Sequence, residues 1–372
     1  MIMSSKVWFL DFKKKARYTS INDLIRKLFE VSGTAGVLDE GDLTAIKVHF
    51  GEKGCTTYTN PVYVRQIADM IKSAGAKPFL TDTNTLYSGS RKNAVDHIMT
   101  ALEHGFGYEV TGVPLIISDG LKSGISTDVE INCKNLKSVR IAEGIASADS
   151  MIVTSHFKGH IIAGFGGAIK NLAMGCATAE GKRDQHRVLQ PVTDRELCTG
   201  CGLCAEICPE NAVTIADEKA IINEDLCASC GECVSHCPAD AISFIWESGI
   251  YPFNERLVEY AYGAALGKRD KSFYFNFIVN VTPDCDCAPW SEHPIVPDIG
   301  ILASADPVAI DTASRDLVNA ERGFPGTLLK KNHEPGEDKF GGTWEYTDSD
   351  RQLEYAEEIG LGSMDYELIT VE

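Results

Sequence analysis

The sequence predicts an α/β protein with a largely parallel sheet, split by an inserted α+β domain that is rich in cysteine. Strand-like runs alternate with helical stretches on both sides of a central segment. That segment, residues 192–246, holds eight of the 13 cysteines in two runs of identical spacing. We therefore expect residues 1–191 and 247–372 to form one α/β domain and residues 192–246 to form a second domain.

The elements of the α/β domain follow from the alternation of short β-rich runs and helical stretches. Before the central segment, we expect strands at 6–12, 43–50, 77–83, 113–119 and 150–157, and helices near 19–30, 60–74, 91–104 and 136–147. After it, we expect a helix near 254–266, strands at 272–281 and 298–304, and a helix at 306–321. Ligands bind beyond the carboxyl ends of the strands in such sheets, so unusual residues there deserve weight.

The charge balance narrows the class of partner. Lys and Arg number 35 against 53 Asp and Glu, which gives a net charge of −18 and argues against nucleic acid or an anionic membrane. No run approaches the roughly 18 to 20 apolar residues of a membrane helix, and the N-terminal run Val7–Leu10 is too short for a signal peptide, so we expect a cytoplasmic protein. The central segment has ten acidic and two basic side chains. It is therefore the predicted docking face for a redox partner protein.

The two cysteine runs repeat one spacing. Each cysteine of the second run lies 29 residues after its counterpart, and both runs end in Cys-Pro. The spacing C-x2-C-x2-C-x3-C-P is that of bacterial-type ferredoxins, in which three cysteines hold one cluster and the fourth holds the other. Structural zinc is the alternative, although zinc ligands usually come as separated pairs. We predict two [4Fe-4S] clusters, one held by Cys198, Cys201, Cys204 and Cys237, the other by Cys208, Cys227, Cys230 and Cys233.

Reactive side chains follow four of the predicted strands. They are His49, Glu52 and Cys55; His156, Lys158 and His160; Cys285 and Cys287; and Asp306 and Asp311. Taken alone, each of these residues has an ordinary explanation. A histidine at a strand end usually packs against its neighbours or forms a hydrogen bond, and an aspartate before a proline, as at Asp306, is typical of a helix N-cap. Because four strand ends carry such residues, we expect one site at a common edge of the sheet.

A glycine-rich loop precedes one predicted helix. Gly164, Gly166 and Gly167 come before residues 168–174, and free amides at a helix start can bind an anion, with Lys170 one turn into the helix adding positive charge. The loop lacks the Walker A ending and the dinucleotide-binding spacing. Tight packing of the helix against the sheet is the alternative explanation for the glycines.

Cys285 and Cys287 are separated by one residue. In an extended segment both thiols project to one side, while Asp284 and Asp286 project to the other. Such a pair can bind a soft metal or take part in thiol chemistry. A third metal site therefore stays open, with Cys55, Cys133 and Cys176 as the remaining thiols.

Several segments carry resemblances to known families. Residues 47–54, 155–178 and 281–287, around the cysteine repeat, resemble the iron–sulfur centre proteins of domain-of-unknown-function family 362 over nearly the whole chain. That resemblance implies the fold and the clusters but no reaction. The stretch from His160 to Lys170, with His186, is also similar to nickel-dependent lactate racemases. This second resemblance implies that Lys170 binds a cofactor, that His186 is a metal ligand, and that His156 or His160 acts as acid or base.

These observations lead to one hypothesis and two alternatives. We expect an iron–sulfur redox enzyme whose clusters relay electrons to a site that acts on a small anionic substrate or cofactor. The predicted catalytic residues are His49, His156, His160, Lys170, Cys285 and Cys287. A non-enzymatic electron-transfer subunit and a protein for metal or cofactor assembly are the alternatives.

Overall fold

The computed structural model describes residues 4–13 and 19–371. Its main sheet has eight strands: β1 (Ser5–Asp11), β2 (Leu43–Val48), β3 (Lys77–Asp82), β4 (Leu115–Ile117), β5 (Ser150–His156), β6 (Ser272–Ile278), β7 (Gly300–Ser304) and β8 (Tyr366–Thr370). Their spatial order is β8-β1-β7-β6-β5-β2-β3-β4. Strand β7 is antiparallel to both neighbours, β1 and β6, and every other neighbouring pair is parallel. The predicted α/β class with a largely parallel sheet is confirmed.

Helices cover both faces of this sheet. The longer helices are α1 (Ile21–Val31), α2 (Pro61–Ser73), α3 (Ala94–Glu103), α4 (Ala168–Cys176), α5 (Ala179–His186), α6 (Trp246–Ala265), α7 (Pro307–Ala320) and α8 (Asp350–Glu358). Helices α1 to α3 pack against one face, and α4, α6 and α7 pack against the other. Strands β5 and β6 are buried along their whole length, and β6 is mainly apolar and aromatic.

Shorter elements complete the chain. Single helical turns or 3-10 turns lie at Thr34–Val37, Tyr108–Thr111, Glu143–Ala146, Leu203–Glu206, Glu232–Ser235, Arg269–Lys271 and Lys339–Thr343. Two-stranded ladders pair Ser126–Glu130 with Ser138–Ala142, Lys158–His160 with Gly164–Gly166, Pro191–Thr193 with Ile242–Phe244, and Val213–Ala216 with Lys219–Ile222. No helix in the described part of the chain is long and apolar enough to cross a membrane.

The helix predicted at residues 136–147 is wrong. Residues Ser138–Ala142 form a strand, and only Glu143–Ala146 make a helical turn. Val139 and Ile141 are buried on one side of the strand. Their spacing of two residues is the period of a strand, and both residues are β-branched, which favours the extended conformation.

The position predicted for Asp306 is also wrong. Because β7 runs antiparallel to its neighbours, its carboxyl end lies at the opposite edge of the sheet from the ends of β2, β5 and β6. The Asp306 carboxylate caps helix α7 and accepts the backbone N–H groups of Val308 and Ala309. Asp311 lies farther along α7, where its side chain reaches the start of α4.

The cysteine-rich segment has a small hydrophobic core of its own. That core includes Cys198, Cys204 and Cys233 together with Val213 and Ile242. The chain enters the segment through Pro191–Thr193 and leaves it through Ile242–Phe244, and these two strands pair with each other. An entry and an exit that lie side by side are what an insertion requires. The boundaries at residues 192 and 246 stay a prediction.

Candidate functional site

A cavity of about 610 Å³ lies at the edge of the main sheet. Strands β2 and β5 are neighbours, but the chain continues from β2 toward β3 on one side and from β5 toward β6 on the other. Ligands bind outside the carboxyl ends of the strands at such a switch point. The cavity walls include His49 just after β2, His156 at the end of β5, and Cys285 and Cys287 in the loop after β6.

The sulfurs of Cys285 and Cys287 lie within 4.8 Å of each other in this cavity. Lys170 Nζ donates to Cys285 Sγ at 3.3 Å. A hydrogen bond from Cys287 holds the pKa of Cys285 well below its ordinary value against the opposing effect of burial, and Lys170 and Lys158 lower it further. The same hydrogen bond, with burial, raises the pKa of Cys287 well above its ordinary value. The ammonium groups of Lys170 and Lys158 therefore favour the thiolate form of Cys285 over that of Cys287.

His160 lies close to both sulfurs. A ring nitrogen of His160 and the sulfurs of Cys285 and Cys287 all lie within 4.8 Å of one another. Among the described residues, no other three histidine, cysteine or acidic side chains come this close together. However, His160 Nδ1 accepts backbone N–H groups from Ile162 at 3.1 Å and Ala163 at 3.0 Å.

This pattern gives the His160 ring a definite protonation. Burial and the charge of Lys170 hold the pKa of His160 well below its ordinary value, so the ring is neutral. Since Nδ1 accepts two hydrogen bonds, the proton is on Nε2. A histidine that binds a metal normally donates its second ring nitrogen to an acceptor. The His160 ring is therefore arranged to donate a hydrogen bond rather than to bind a metal ion.

His156 belongs to a buried ion-pair cluster with Asp286. Its Nδ1 lies 2.9 Å from each carboxylate oxygen of Asp286, and its Nε2 lies 2.9 Å from the carbonyl of Val279. Lys158 Nζ is 3.3 Å from the same carboxylate. Burial alone would raise the pKa of Asp286, but His156 and Lys158 hold it well below its ordinary value. Both ring nitrogens of His156 are within hydrogen-bond distance of these acceptors, and the predicted catalytic role of His156 stays a prediction.

His49 is neutral and is held by neighbouring donors. Its Nδ1 accepts the N–H of Gly51 at 3.1 Å, and its Nε2 lies 3.2 Å from Arg91 Nη1. Burial and the charge of Arg91 hold the pKa of His49 well below its ordinary value. Arg91 is only 1% exposed and also pairs with Glu52 at 3.2 Å. Sequence reasoning missed Arg91, which follows β3, because the residues after that strand were not among the four strand ends that we selected.

Two further buried lysines were missed. Lys47 Nζ lies 2.9 Å from Asp82 and 2.7 Å from Asn171 Oδ1. Lys182 Nζ donates to Thr83 Oγ1 at 2.6 Å, and burial lowers the pKa of Lys182 to about 8. A lysine in the middle of the apolar run 44–50 was the available signal for Lys47, because a charged side chain inside a buried strand needs a partner.

The anion site predicted at the start of α4 is wrong. The carboxylate of Asp311 accepts the N–H groups of Ala168 at 2.7 Å and Ile169 at 2.9 Å, so the chain's own side chain occupies this helix start. A Cβ added to Gly167 would lie 2.3 Å from Asp311 Oδ1. A Cβ added to Gly164 would lie 2.7 Å from the Cβ of Ser349. Close packing explains these glycines.

The remaining glycine of the loop borders a lysine. A Cβ added to Gly166 would lie 3.1 Å from Cδ of Lys170. A larger residue there would press on the side chain that reaches Cys285. The glycine therefore leaves room for Lys170, and the predicted part of Gly166 in ligand binding stays a prediction.

His186 presents a free base to the cavity. Its Nδ1 donates to the carbonyl of Lys182 at 2.7 Å, and its ring packs edge-on against Phe253. Burial lowers the pKa of His186 to about 4, so Nε2 carries no proton near neutral pH. This arrangement suits an acceptor or a metal ligand. The assignment of His186 as a metal ligand stays a prediction.

Three other cysteines lie away from the cavity walls. Cys55 Sγ is 3.8 Å from Asp286 Oδ1, and burial raises its pKa. Burial also raises the pKa of Cys176, to about 12. Cys133 lies beside the carbonyl of Ile131. These environments favour neutral thiols, which are poor nucleophiles.

Four of the eight cysteines of the cysteine-rich segment line one cavity. One small cavity is lined by Cys198, Cys201, Cys204 and Cys237. Burial raises the pKa of Cys233, and Cys230, Cys227, Cys208 and Cys204 all raise it further. The last cysteine of the second run thus lies with the first three of the first run, and the corresponding grouping around Cys208 stays a prediction.

Backbone amides point at the sulfurs in a repeated pattern. Ala212 N donates to Cys208 Sγ at 3.2 Å, and Ala241 N donates to Cys237 Sγ at 3.2 Å. The two amides are 29 residues apart, as are the two sulfurs. Amide hydrogen bonds to cysteine sulfur are a feature of iron–sulfur sites, where they help to set the reduction potential.

The second cysteine run borders the large cavity. Cys230, Gly231 and Glu232 line the same cavity as Lys170 and Cys285. The inserted segment therefore forms one wall of the site, and the loop after β6 forms another.

Residues 44–316 match the protein family described as "Domain of unknown function (DUF362)". The chain belongs to this family. No curated protein matches it. Among solved structures, the lactate racemase apoprotein from Thermoanaerobacterium thermosaccharolyticum is similar with a TM-score of 0.40 and 11% identity, over 99% of this chain and 92% of that one. Similarity at this level transfers neither ligands nor chemistry.

In this DUF362 member the predicted residues separate into distinct sets. Lys170, His160, Cys285 and Cys287 come together around the sulfur of Cys285. His49 and His186 lie on the walls of the same cavity.

Proposed function

We propose that this protein is an iron–sulfur oxidoreductase. In this proposal two [4Fe-4S] clusters, held by the eight cysteines of the inserted segment, relay electrons to the cavity, where a small anionic substrate or cofactor binds. One observation carries the proposal: Cys230 of the inserted segment and Cys285 of the α/β domain line the same cavity. A protein that only carries electrons does not need a reactive sulfur such as that of Cys285 in a cavity beside its clusters.

The cysteine geometry supports clusters over zinc. Zinc holds four sulfurs at about 2.3 Å in a tetrahedron, which brings the sulfurs close to one another. Within residues 4–13 and 19–371, no three of the eight cysteine sulfurs lie within 4.8 Å of one another. A cubane keeps its cysteine sulfurs farther apart because iron and inorganic sulfide lie between them. When bound, the clusters supply single electrons.

The chain's own residues supply charge and protons in the cavity. Lys170 has no carboxylate partner among the described residues, and its ammonium group reaches Cys285 at 3.3 Å. The neutral ring of His160 offers Nε2–H as a proton donor, while His186 offers an unprotonated Nε2. Such groups can hold an anion and move protons as electrons arrive.

Anaerobic purification and transient kinetics test the proposal. We expect about eight irons per chain, the content of two cubanes, with an electron paramagnetic resonance signal on dithionite reduction. Mixing the reduced protein with a panel of anionic metabolites should give reoxidation that depends on one compound. Lys170→Met should slow this step, while Lys137→Met, an exposed lysine outside the cavity walls, should not. The proposal fails if no compound reoxidises the protein faster than buffer does.

An acidic surface of the cysteine-rich segment is the proposed docking site for the protein that donates electrons. Asp217, Glu218, Glu224 and Asp225 are exposed. A Cβ added to Gly200 would lie 2.3 Å from the carbonyl oxygen of Glu218, so this surface lies over the first cysteine run. We propose that a basic redox partner docks here, at the end of the segment away from the cavity. The rate of electron transfer from such a partner should then fall with rising salt.

A further inference from the structure

We infer that Cys285 and Cys287 form a redox-active dithiol that cycles to a disulfide, and that the substrate reduced in the cavity is a small-molecule disulfide. This inference rests on the proposed function, since the clusters are the source of the electrons. It assigns the substrate class and the group that passes electrons to the substrate.

The two sulfurs are held together at the cavity wall. Cys285 is 5% exposed, its sulfur accepts a hydrogen bond from Lys170, and the sulfurs of Cys285 and Cys287 lie within 4.8 Å of each other. The intervening Asp286 is 1% exposed and is anchored through its side chain to His156. Its carbonyl accepts the N–H of Glu52 at 2.8 Å. The loop therefore holds both thiols toward the cavity.

The surroundings suit thiol chemistry better than metal binding. A metal ion at this position would need a lone pair from His160, but Nδ1 already accepts two backbone N–H groups. The remaining Nε2–H can donate to a sulfur or to a departing thiolate. Lys170 adds a positive charge that stabilises a thiolate nucleophile.

The chemistry balances with two electrons. The Cys285 thiolate attacks one sulfur of the substrate R–S–S–R, the S–S bond breaks, and R–S⁻ leaves and takes up a proton. Cys287 then attacks Cys285 in the mixed disulfide, the bond to the second R–S group breaks, that group leaves with the proton of Cys287, and the Cys285–Cys287 disulfide forms. When bound, the two clusters would supply one electron each, and these two electrons with one proton restore the Cys285 thiolate and the Cys287 thiol. One turnover therefore matches the capacity of the two clusters.

The cavity sets the size and charge of the substrate. A volume of about 610 Å³ suits a small molecule. Because Cys285 is buried, a disulfide on the surface of another protein cannot reach it without a change in structure. Lys170 favours a substrate with a carboxylate. Glutathione disulfide is a suitable probe of this class.

Peptide mass spectrometry of the anaerobic holoprotein tests the inference. The tryptic peptide 272–315 contains Cys285 and Cys287 and no other cysteine, and peptide 123–134 contains only Cys133. After glutathione disulfide, acid quench and alkylation, peptide 272–315 should lose the mass of two hydrogen atoms and take up no label. Peptide 123–134 should stay fully alkylated. The inference is overturned if peptide 272–315 keeps two alkylatable thiols, or if both peptides oxidise equally.

Two variants separate the roles of the thiols. Cys287→Ser should trap one glutathione on Cys285, whereas Cys285→Ser should trap at least tenfold less on Cys287. Equal trapping would contradict the assignment of Cys285 as the nucleophile. Addition of Co²⁺ gives a further check: a thiolate–cobalt absorption band at one equivalent, lost in Cys285→Ser, would overturn the dithiol in favour of a metal site.

The outcomes also distinguish the inference from the proposed function. Iron content and the resonance of the reduced clusters report on the clusters alone. If glutathione disulfide oxidises the pair but reduced clusters do not restore the thiols, the electron relay fails while the dithiol stands. If another anionic compound reoxidises the clusters while peptide 272–315 stays a dithiol, the oxidoreductase stands and the dithiol fails.

Discussion

Asp286→Asn removes the negative charge that compensates the buried ammonium group of Lys158 and contacts His156. The carboxylate lies 2.9 Å from His156 Nδ1 and 3.3 Å from Lys158 Nζ, and the side chains of all three residues are at most 7% exposed. Removal of one partner from a buried ion pair costs roughly 3 to 5 kcal/mol, since the remaining charge is left uncompensated. With an unfolding entropy of about 2.1 cal/mol/K per residue over 372 residues, Tm should fall by about 4 to 6 °C.

Differential scanning calorimetry at neutral pH measures this loss, and Asp284→Asn is the matched control. Asp284 flanks Cys285 on the other side, and its carboxylate accepts only the indole N–H of Trp290 at 3.3 Å among the described contacts. Its substitution should therefore change the free energy of unfolding by less than about 1 kcal/mol. Equal Tm values for the two variants would refute the ion-pair reasoning.

The pH dependence of the same variant has a definite sign. His156 and Lys158 hold the pKa of Asp286 well below the ordinary value of 3.8 despite burial. The stabilisation is therefore complete above pH 3.8 and is lost as the pH falls through the lowered pKa. The difference between wild type and Asp286→Asn should shrink only in strong acid.

Three further predictions concern the thiolate, the clusters and a buried lysine. Lys170→Met should slow alkylation of Cys285 severalfold at neutral pH, because it removes the cation at 3.3 Å, and the rates should converge at high pH. Roughly half of the iron should be lost in each of the single variants Cys198→Ser and Cys237→Ser. The double variant should lose no more than either single variant, because both residues line one cavity. Lys182 has a pKa of about 8 in the folded chain, so between pH 8 and 10.5 the unfolded chain binds more protons than the folded chain does. The free energy of unfolding of the wild type should therefore rise with pH over this range, and Lys182→Met should abolish that rise.

Each of these predictions has a clear contrary result. An alkylation profile unchanged in Lys170→Met would show that Cys285 does not depend on this cation. Loss of all iron in the Cys198→Ser, Cys237→Ser double variant would contradict the crossed grouping. A Tm that is flat between pH 8 and 10.5 in the wild type would contradict the lowered pKa of Lys182.

Local patterns predicted more of the fold than of the site. The alternation of apolar runs predicted the main strands, but Ser138–Ala142 was assigned to a helix because periodicity is ambiguous over short segments. The direction of β7 could not be read from its residues, since a strand has the same period in either orientation. That direction places Asp306 at the far edge of the sheet.

The sequence by itself determined the α/β class, the duplicated cysteine pattern and the one-residue spacing of Cys285 and Cys287. Spacing and periodicity are local properties of the chain. Only the tertiary structure decided which groups share an environment. It assigned Asp311 to the helix start that was predicted to bind an anion, and His156 to a buried ion pair with Asp286. It also brought Cys230 to the cavity of Cys285. Protonation and reactivity depend on these neighbours, which lie far apart in the sequence and meet only when the chain folds.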